Sequence, residues 1–134
     1  MVELHLLAIE DDADIATLIA QVAGAAGYTP HILCNTENLK YSYHLIQPHV
    51  IVLDILMPEL DGFDVMNFLA QQRSRAKIII VSGSHEYRPM AERIGHAYGL
   101  DIAGNIGKPF RVAELREIFE RLRGDLDNAM KVTA

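Results

Sequence analysis

One cysteine, no long apolar run and almost no basic residue in the first half: each of these shortages excludes something. The single thiol, Cys34, rules out an internal disulfide, and its place in a strand-like run makes it an expected inert, buried group. The apolar runs are short, the longest lying near the N-terminus and around residues 50–57 and 78–81, so none is long enough to span a bilayer. Met1-Val2-Glu3 lacks the basic stretch of a secretory leader, and the apolar residues that follow stop at Glu10-Asp11-Asp12, so a cytoplasmic location is expected. Lys40 is the only lysine or arginine before Arg73, and a net charge of −6 argues against a general nucleic-acid binder. The histidines, His5, His31, His44, His49, His85 and His96, show no metal-ligand spacing and fall in different elements, which predicts structural or exposed roles.

What is present is organised around Val50 to Asp64, VIVLDILMPELDGFD, where four apolar residues end abruptly on Asp54. Such a run predicts a strand buried on both faces that delivers its carboxylate to the C-terminal edge of a sheet, the edge where open α/β sheets bind ligands. Pro58 should stop any regular extension, and Asp61-Gly62 should turn the chain into a helix from about Phe63 to Arg73.

The same alternation recurs along the chain. Leu4 to Ile9 reads as a strand ending on acids, and Ile15, Leu18, Ile19, Val22 and Ala23 have helical spacing that Gly27 can close. Tyr28 to Cys34 reads as a second strand, with Pro30 requiring either an edge strand or a place at the strand's start. Thr36 is the expected cap of a helix that Pro48 ends. Lys77 to Ser82 is a further strand, followed by a helix with Pro89 in its first turn and Met90, Ile94 and Ala97 on one face. Ile102 to Ile106 is a weak strand. The last helix, about Val112 to Arg123, sets Val112, Leu115, Ile118, Phe119 and Leu122 on one face and Glu117 four residues before Arg121; residues from Gly124 on read as a frayed end. Five strand–helix repeats predict one α/β domain with a parallel sheet and helices on both faces.

In such a sheet the strand ends gather Glu10, Asp11, Asp54, Ser82 and Lys108 on one edge. The acidic pair in AIEDD, the LDILMPELDGF loop, the VSGS strand end and the GKPF turn, found in this order, resemble the receiver domain of two-component response regulators. The match runs from Leu4 to about Arg123. It implies a flavodoxin-like (CheY-like), doubly wound, five-stranded parallel sheet of order 2-1-3-4-5 with five helices. It also implies a receiver over residues 1–123, with 124–134 a C-terminal tail or the start of a linker.

By that resemblance Asp54 is the phosphoacceptor and the cofactor is Mg2+. Asp11 is a direct ligand, Glu10 a ligand through water, and the backbone carbonyl of Leu56 a further ligand. Ser82 bonds the phosphoryl group, Lys108 pairs with it, and the Lys108-Pro109 bond is cis. The residue types suit the chemistry, since phosphoryl transfer needs positioning and neutralised oxygens, and hard Mg2+ prefers carboxylates, water and phosphate oxygens. Gly83 should leave room for the phosphoryl group, where a large side chain would crowd it.

The implied partner is a sensor histidine kinase or a histidine phosphotransfer protein. The output domain or target protein is unknown, direct nucleic-acid and membrane binding are not expected, and there is room for a homodimer on phosphorylation. Such a chain is a phosphoacceptor that takes part in its own phosphorylation and dephosphorylation rather than an enzyme.

Receivers usually carry Tyr or Phe three residues before the Lys-Pro pair, where this chain has Asn105, and YGLDIAGNIGKPF is longer than the usual connection. Both features are similar to receivers that precede cyclic-di-GMP phosphodiesterase domains of the EAL type. A small amide cannot fill an aromatic's volume, and burying it demands hydrogen-bond partners, so the signal is expected to leave through the backbone of residues 83–89. Rival readings fit the residues less well: an aspartate-based phosphatase would want a second acid two residues after Asp54, where Leu56 stands. A flavodoxin-like cofactor binder would want a Ser/Thr/Gly-rich phosphate loop where Glu10-Asp11-Asp12 stands. A phosphorylation-independent interaction module of the same fold would not need the intact acid–lysine set.

Overall fold

The computed structural model describes residues 2–57 and 60–133. Five long strands, β1 (Leu4–Ile9), β2 (Tyr28–Leu33), β3 (Val50–Asp54), β6 (Lys77–Ser82) and β7 (Asp101–Gly107), form one parallel sheet in the order β2-β1-β3-β6-β7. Counting the long strands alone, this is the expected 2-1-3-4-5. β3 is buried at all five positions because strands flank it and helices cover both its faces. Pro30 lies on β2 at the sheet edge, where its missing donor costs no ladder bond.

Alternation along the strands sorts the core into two layers. Leu6, Ala8, Val50, Val52, Ile79 and Val81 pack beneath α1 (Ala13–Ala25) and α5 (Val112–Thr133). Leu7, Ile9, Ile51, Leu53, Ile78 and Ile80 pack beneath α2 (Leu39–Ile46), α3 (Gly62–Gln71) and α4 (Tyr87–Ala97). The domain is therefore doubly wound.

Several expectations need correction. Cys34 is exposed, since β2 ends one residue earlier at Leu33. Thr36 does not cap α2: the helix begins at Leu39, and Thr36 contributes only its carbonyl to the Leu39 amide. On α4 the buried residues are Ala91 and Gly95, with Ile94 packed on the core, whereas Ala97 is exposed. α5 does not fray at Gly124 but runs on to Thr133, because Leu126 and Met130 extend its apolar face against the α1-side core. That contact outweighs the roughly 1 kcal/mol that glycine costs a helix. Val112 is exposed, and Arg121 donates to the carbonyl of Ala103 at 2.9 Å rather than closing on Glu117.

Beyond β3 the chain makes a two-residue antiparallel pair, β4 (Leu56–Met57) with β5 (Leu60–Asp61), which the sequence did not suggest; Pro58, the expected stop, lies outside the described residues. The weak fifth strand is longer than expected and carries a bulge. Ile78 is paired with Ile102 but Ile79 with Gly104, so Ala103 is the extra residue.

Candidate functional site

Each of the three site strands ends where its apolar pattern stops, and the next residues divide the work. After β1, Asp12 caps α1, its Oδ1 accepting from the amides of Asp14 (3.0 Å) and Ile15 (3.2 Å). Capping thus occupies Asp12 and leaves Glu10 and Asp11 facing the edge. After β3, Asp61 caps α3 by accepting from the Phe63 amide at 2.8 Å. Gly62 then packs so closely that an added Cβ would lie 2.6 Å from Ile55 Cα. Only glycine lets α3 start directly against the residue that follows Asp54.

Glu10, Asp11 and Asp54 each offer an oxygen within 4.8 Å of the others. Glu10 is 1% exposed and Asp54 4%, while Asp11 is open to solvent. Lys108 reaches in from the turn after β7, its Nζ donating to Glu10 Oε1 at 2.5 Å and to Asp54 Oδ2 at 3.0 Å. Asp54 Oδ1 accepts from the Leu56 amide at 3.1 Å. The Lys108-Pro109 peptide is cis.

Ser82, fully buried, ends β6; its carbonyl accepts from the Lys108 amide at 2.9 Å and its Oγ from the Ser84 amide at 3.1 Å. At Gly83 the nearest atom to an added Cβ is Lys108 Cβ at 4.0 Å, so a methyl group fits there.

The electrostatics follow from burial. Desolvation, reinforced by the neighbouring Asp54, pushes the Glu10 carboxyl up to about 8, although Lys108 pulls the other way. Burial works against the Lys108 charge, but its bonds to Glu10 and Asp54 outweigh that and lift it above the ordinary lysine range. One cation against the Asp11 and Asp54 carboxylates, with the Glu10 carboxyl beside them, leaves the cluster short of positive charge. Glu10 Oε2 is buried without a hydrogen-bond partner among the described residues. An oxygen-rich pocket with surplus negative charge and an orphaned acceptor fits a hard divalent cation.

The structure thus brings together Glu10, Asp11, Asp54 and Lys108, with Leu56 adjacent through its amide and Ser82 at the end of the neighbouring strand. Two further arrangements were not anticipated. His5, His31 and His49 meet at the opposite sheet edge: His5 Nδ1 lies 3.0 Å from His31 Nε2, and the His5 amide donates to His49 Nδ1 at 3.0 Å. Their separation along the chain hid this, and only the strand order 2-1-3 makes them neighbours. Arg88, on α4, lies over the β7 backbone, its Cζ 3.0 Å from where a Cβ on Gly107 would stand.

No helix among the described residues is long and apolar enough to cross a membrane. The chain matches the family model "Response regulator receiver domain" over residues 6–120. It is 30% identical over 130 residues to the probable transcriptional regulator ycf27 of Porphyra purpurea, covering 96% of this chain and 49% of that protein. To the alkaline phosphatase synthesis transcriptional regulatory protein PhoP of Bacillus subtilis it is 26% identical over 112 residues, covering 82% and 44% respectively. The chain therefore spans less than half the length of these relatives.

Among solved structures, a Francisella response regulator 1452 receiver domain aligns with TM-score 0.75 and 25% identity, covering 92% of this chain and 99% of that one. Vibrio cholerae chemotaxis protein CheY4 aligns with TM-score 0.77 and 21% identity, covering 90% and 99%. With the acid–lysine cluster lying at the C-terminal edge of a 2-1-3-4-5 sheet, the chain belongs to the response regulator receiver domain family, the signal-accepting module of two-component systems.

Proposed function

We propose that Asp54 accepts a phosphoryl group from a phosphohistidine on a sensor kinase or histidine phosphotransfer protein. The observation that carries this is the buried Asp54 carboxylate held between the Lys108 ammonium and the Leu56 amide, with Glu10 and Asp11 beside it. An Asp54 oxygen attacks phosphorus, the new O–P bond forms as the N–P bond breaks, and the imidazole leaves with that electron pair. Later attack by water on phosphorus returns the carboxylate and inorganic phosphate.

Lys108 supplies a point charge to the transferred oxygens, and the Ser82 hydroxyl, whose Oγ currently accepts from the Ser84 amide, can turn its proton toward them. Asp11 and Asp54, the Leu56 carbonyl, and Glu10 through water would hold Mg2+, which when bound neutralises charge on the phosphoryl oxygens. Against the phosphorylation-independent rival stands the retention of every charged member of the site.

On this reading the chain is a switch rather than an enzyme, working in the cytoplasm with no nucleic-acid or membrane contact of its own, and dimerisation on phosphorylation is open to it. Residues 1–123 form the receiver, and 124–134, helical through Thr133, a tail or the start of a linker. Kinship with receivers that precede EAL-type domains rests on Asn105 and the extra residue in β7. Acetyl phosphate with Mg2+ should add one phosphoryl group to the wild type and none to Asp54→Asn, read by intact mass. Persistent labelling of the variant would remove Asp54 from this role.

A further inference from the structure

The end of the sheet away from Asp54 carries a second group of ligand-type side chains. His5 is the second residue of β1, His49 immediately precedes β3, and His31 lies on β2. In the parallel pairing of β1 with β2, His5 stands beside Thr29 and Leu7 beside His31, so His5 and His31 are diagonal neighbours on one face. That is the α2 side, where Leu7 and Leu33 pack.

His5 Nδ1 lies 3.0 Å from His31 Nε2, with ring centroids 5.2 Å apart and planes tilted by 33°. Neighbouring groups set this orientation. Glu3 Oε2 stands 3.8 Å from His5 Nε2, while Glu3 Oε1 accepts from the Thr29 hydroxyl at 2.7 Å, so β2 holds the carboxylate in place. A carboxylate on that side favours the proton on His5 Nε2 and leaves Nδ1 with its lone pair, turned toward His31. His49 braces the other side: its Nδ1 accepts from the His5 amide at 3.0 Å, and its ring stacks on His5 with a 13° interplanar angle. His49 Nδ1 is therefore occupied, and one proton lies between the facing nitrogens of His5 and His31. Burial, then His5, lowers His31 from its ordinary value, which keeps its ring neutral near pH 7.

Two imidazole nitrogens so placed suit a metal ion. With metal–nitrogen bonds of about 2.0–2.1 Å, ligands 3.0 Å apart subtend roughly a right angle at the ion. That is the cis angle of the tetragonal sites that Cu2+ and Ni2+ favour, and imidazole prefers these ions to Mg2+. A carboxylate behind the ligating ring is the usual support of such a site and raises the basicity of the nitrogen.

We propose that His5 Nδ1 and His31 Nε2 bind a divalent transition-metal ion of the Ni2+ or Cu2+ class, with Glu3 as a positioning residue and water at the remaining positions. The ion takes the place of the proton between the rings, and that proton moves to His31 Nδ1. Because β2 is the edge strand and β1 its neighbour, the ion clamps the edge of the sheet. The chain then sorts metals by hardness, with oxygen donors at one end of the sheet for Mg2+ and imidazoles at the other. This site stands independently of the phosphoacceptor reading.

The test is titration of Ni2+ into the full chain, carrying no added histidine tag, in saturating Mg2+, followed by calorimetry and amide NMR. A single ion should bind, and its paramagnetic broadening should centre on residues 3–6, 29–32 and 49–50 while sparing 54–56 and 82–84. His5→Gln and His31→Gln should each weaken binding by more than about tenfold, and Glu3→Gln by about tenfold, with partial recovery in Glu3→Asp. Both ligand variants should keep wild-type signals away from these strands, which separates a lost ligand from lost folding. His49→Gln and Asp54→Asn should bind as the wild type does. Broadening centred on residues 10–12 and 54 would place the ion among the carboxylates and overturn the site. So would undiminished affinity in His31→Gln, or a loss in His49→Gln as large as that in His31→Gln. Unchanged affinity in Glu3→Gln would strike Glu3 from its positioning role.

Discussion

Lys108 Nζ donates to Asp54 Oδ2 at 3.0 Å, joining the ends of the third and fifth long strands through a single charge. Removing that charge leaves Glu10 and Asp54 buried against each other. Without divalent ions, Lys108→Ala should lower the unfolding free energy by about 1–3 kcal/mol at neutral pH, the cost of stranding buried acceptors. Mg2+ should restore more stability to the variant than it adds to the wild type, because the ion no longer competes with the ammonium. Urea unfolding with and without Mg2+ checks both statements, and an equal Mg2+ increment in the two proteins would contradict the second.

The Glu10 carboxyl makes stability depend on pH in a definite direction. Burial, then Asp54, raises it from an ordinary 4.5 to about 8, so between those values the folded chain holds a proton that the unfolded chain has released. This contribution is complete below 4.5 and is lost as the pH rises toward 8. Urea midpoints measured across that window without Mg2+ should fall less steeply for Glu10→Gln than for the wild type.

The histidines at the opposite edge give the reverse slope. Burial, then the neighbouring His5, lowers both His31 and His49 below 6.5, and the carboxylate nearest this group, Glu3, lies 3.8 Å from His5 Nε2. Their contribution is present above 6.5 and lost on acidification, because the folded chain resists protons that the unfolded chain accepts. Replacing both His31 and His49 with Gln should therefore reduce the loss of stability on acidification. Comparison within a Glu10→Gln background separates the two slopes.

Two glycines should respond oppositely to alanine. At Gly62 the new Cβ meets Ile55 backbone at 2.6 Å, and Gly62→Ala should cost about 1–3 kcal/mol and disturb the segment after Asp54. At Gly124, within α5, nothing lies within 4 Å of the added Cβ, and Gly124→Ala should gain about 0.5–1 kcal/mol. Thermal or urea unfolding measures both.

What the sequence made legible was whatever a local pattern carries. The abrupt stops at Glu10, Asp54 and Ser82 marked the sheet edge, and five strand–helix repeats forecast helices on both of its faces. What stayed hidden depended on distant partners. The histidine cluster exists only because strands 2, 1 and 3 lie side by side, and Arg88 matters only because α4 crosses Gly107. Gly124 suggested a frayed helix because its local cost was visible, while the packing of Leu126 and Met130 that offsets it was not. Cys34 was misjudged by one residue at a strand end.

Packing at the end of α5 yields its own prediction. Leu126 is partly buried against the α1-side core, and Leu126→Ala should cost roughly 1–2 kcal/mol, below the 2–5 typical of a fully enclosed leucine. Unchanged stability in this variant would return residues after Arg123 to a passive tail.

The bulge at Ala103 settles a question of parity. In a regular strand Ile102 and Asn105, three residues apart, point to opposite faces, yet here Ile102 pairs with Ile78 and Asn105 with Ile80, both on the α4 side. Ala103 and Ile106 are likewise brought onto one face, beneath α5, where Arg121 bonds the Ala103 carbonyl. Deleting one residue from this strand would force a choice: keep Ile102 in the core and turn Asn105 toward α5, or keep Asn105 on α4 and lose Ile102. The extra residue at 103 is therefore what lets Ile102 and Asn105 share the α4 side of one strand.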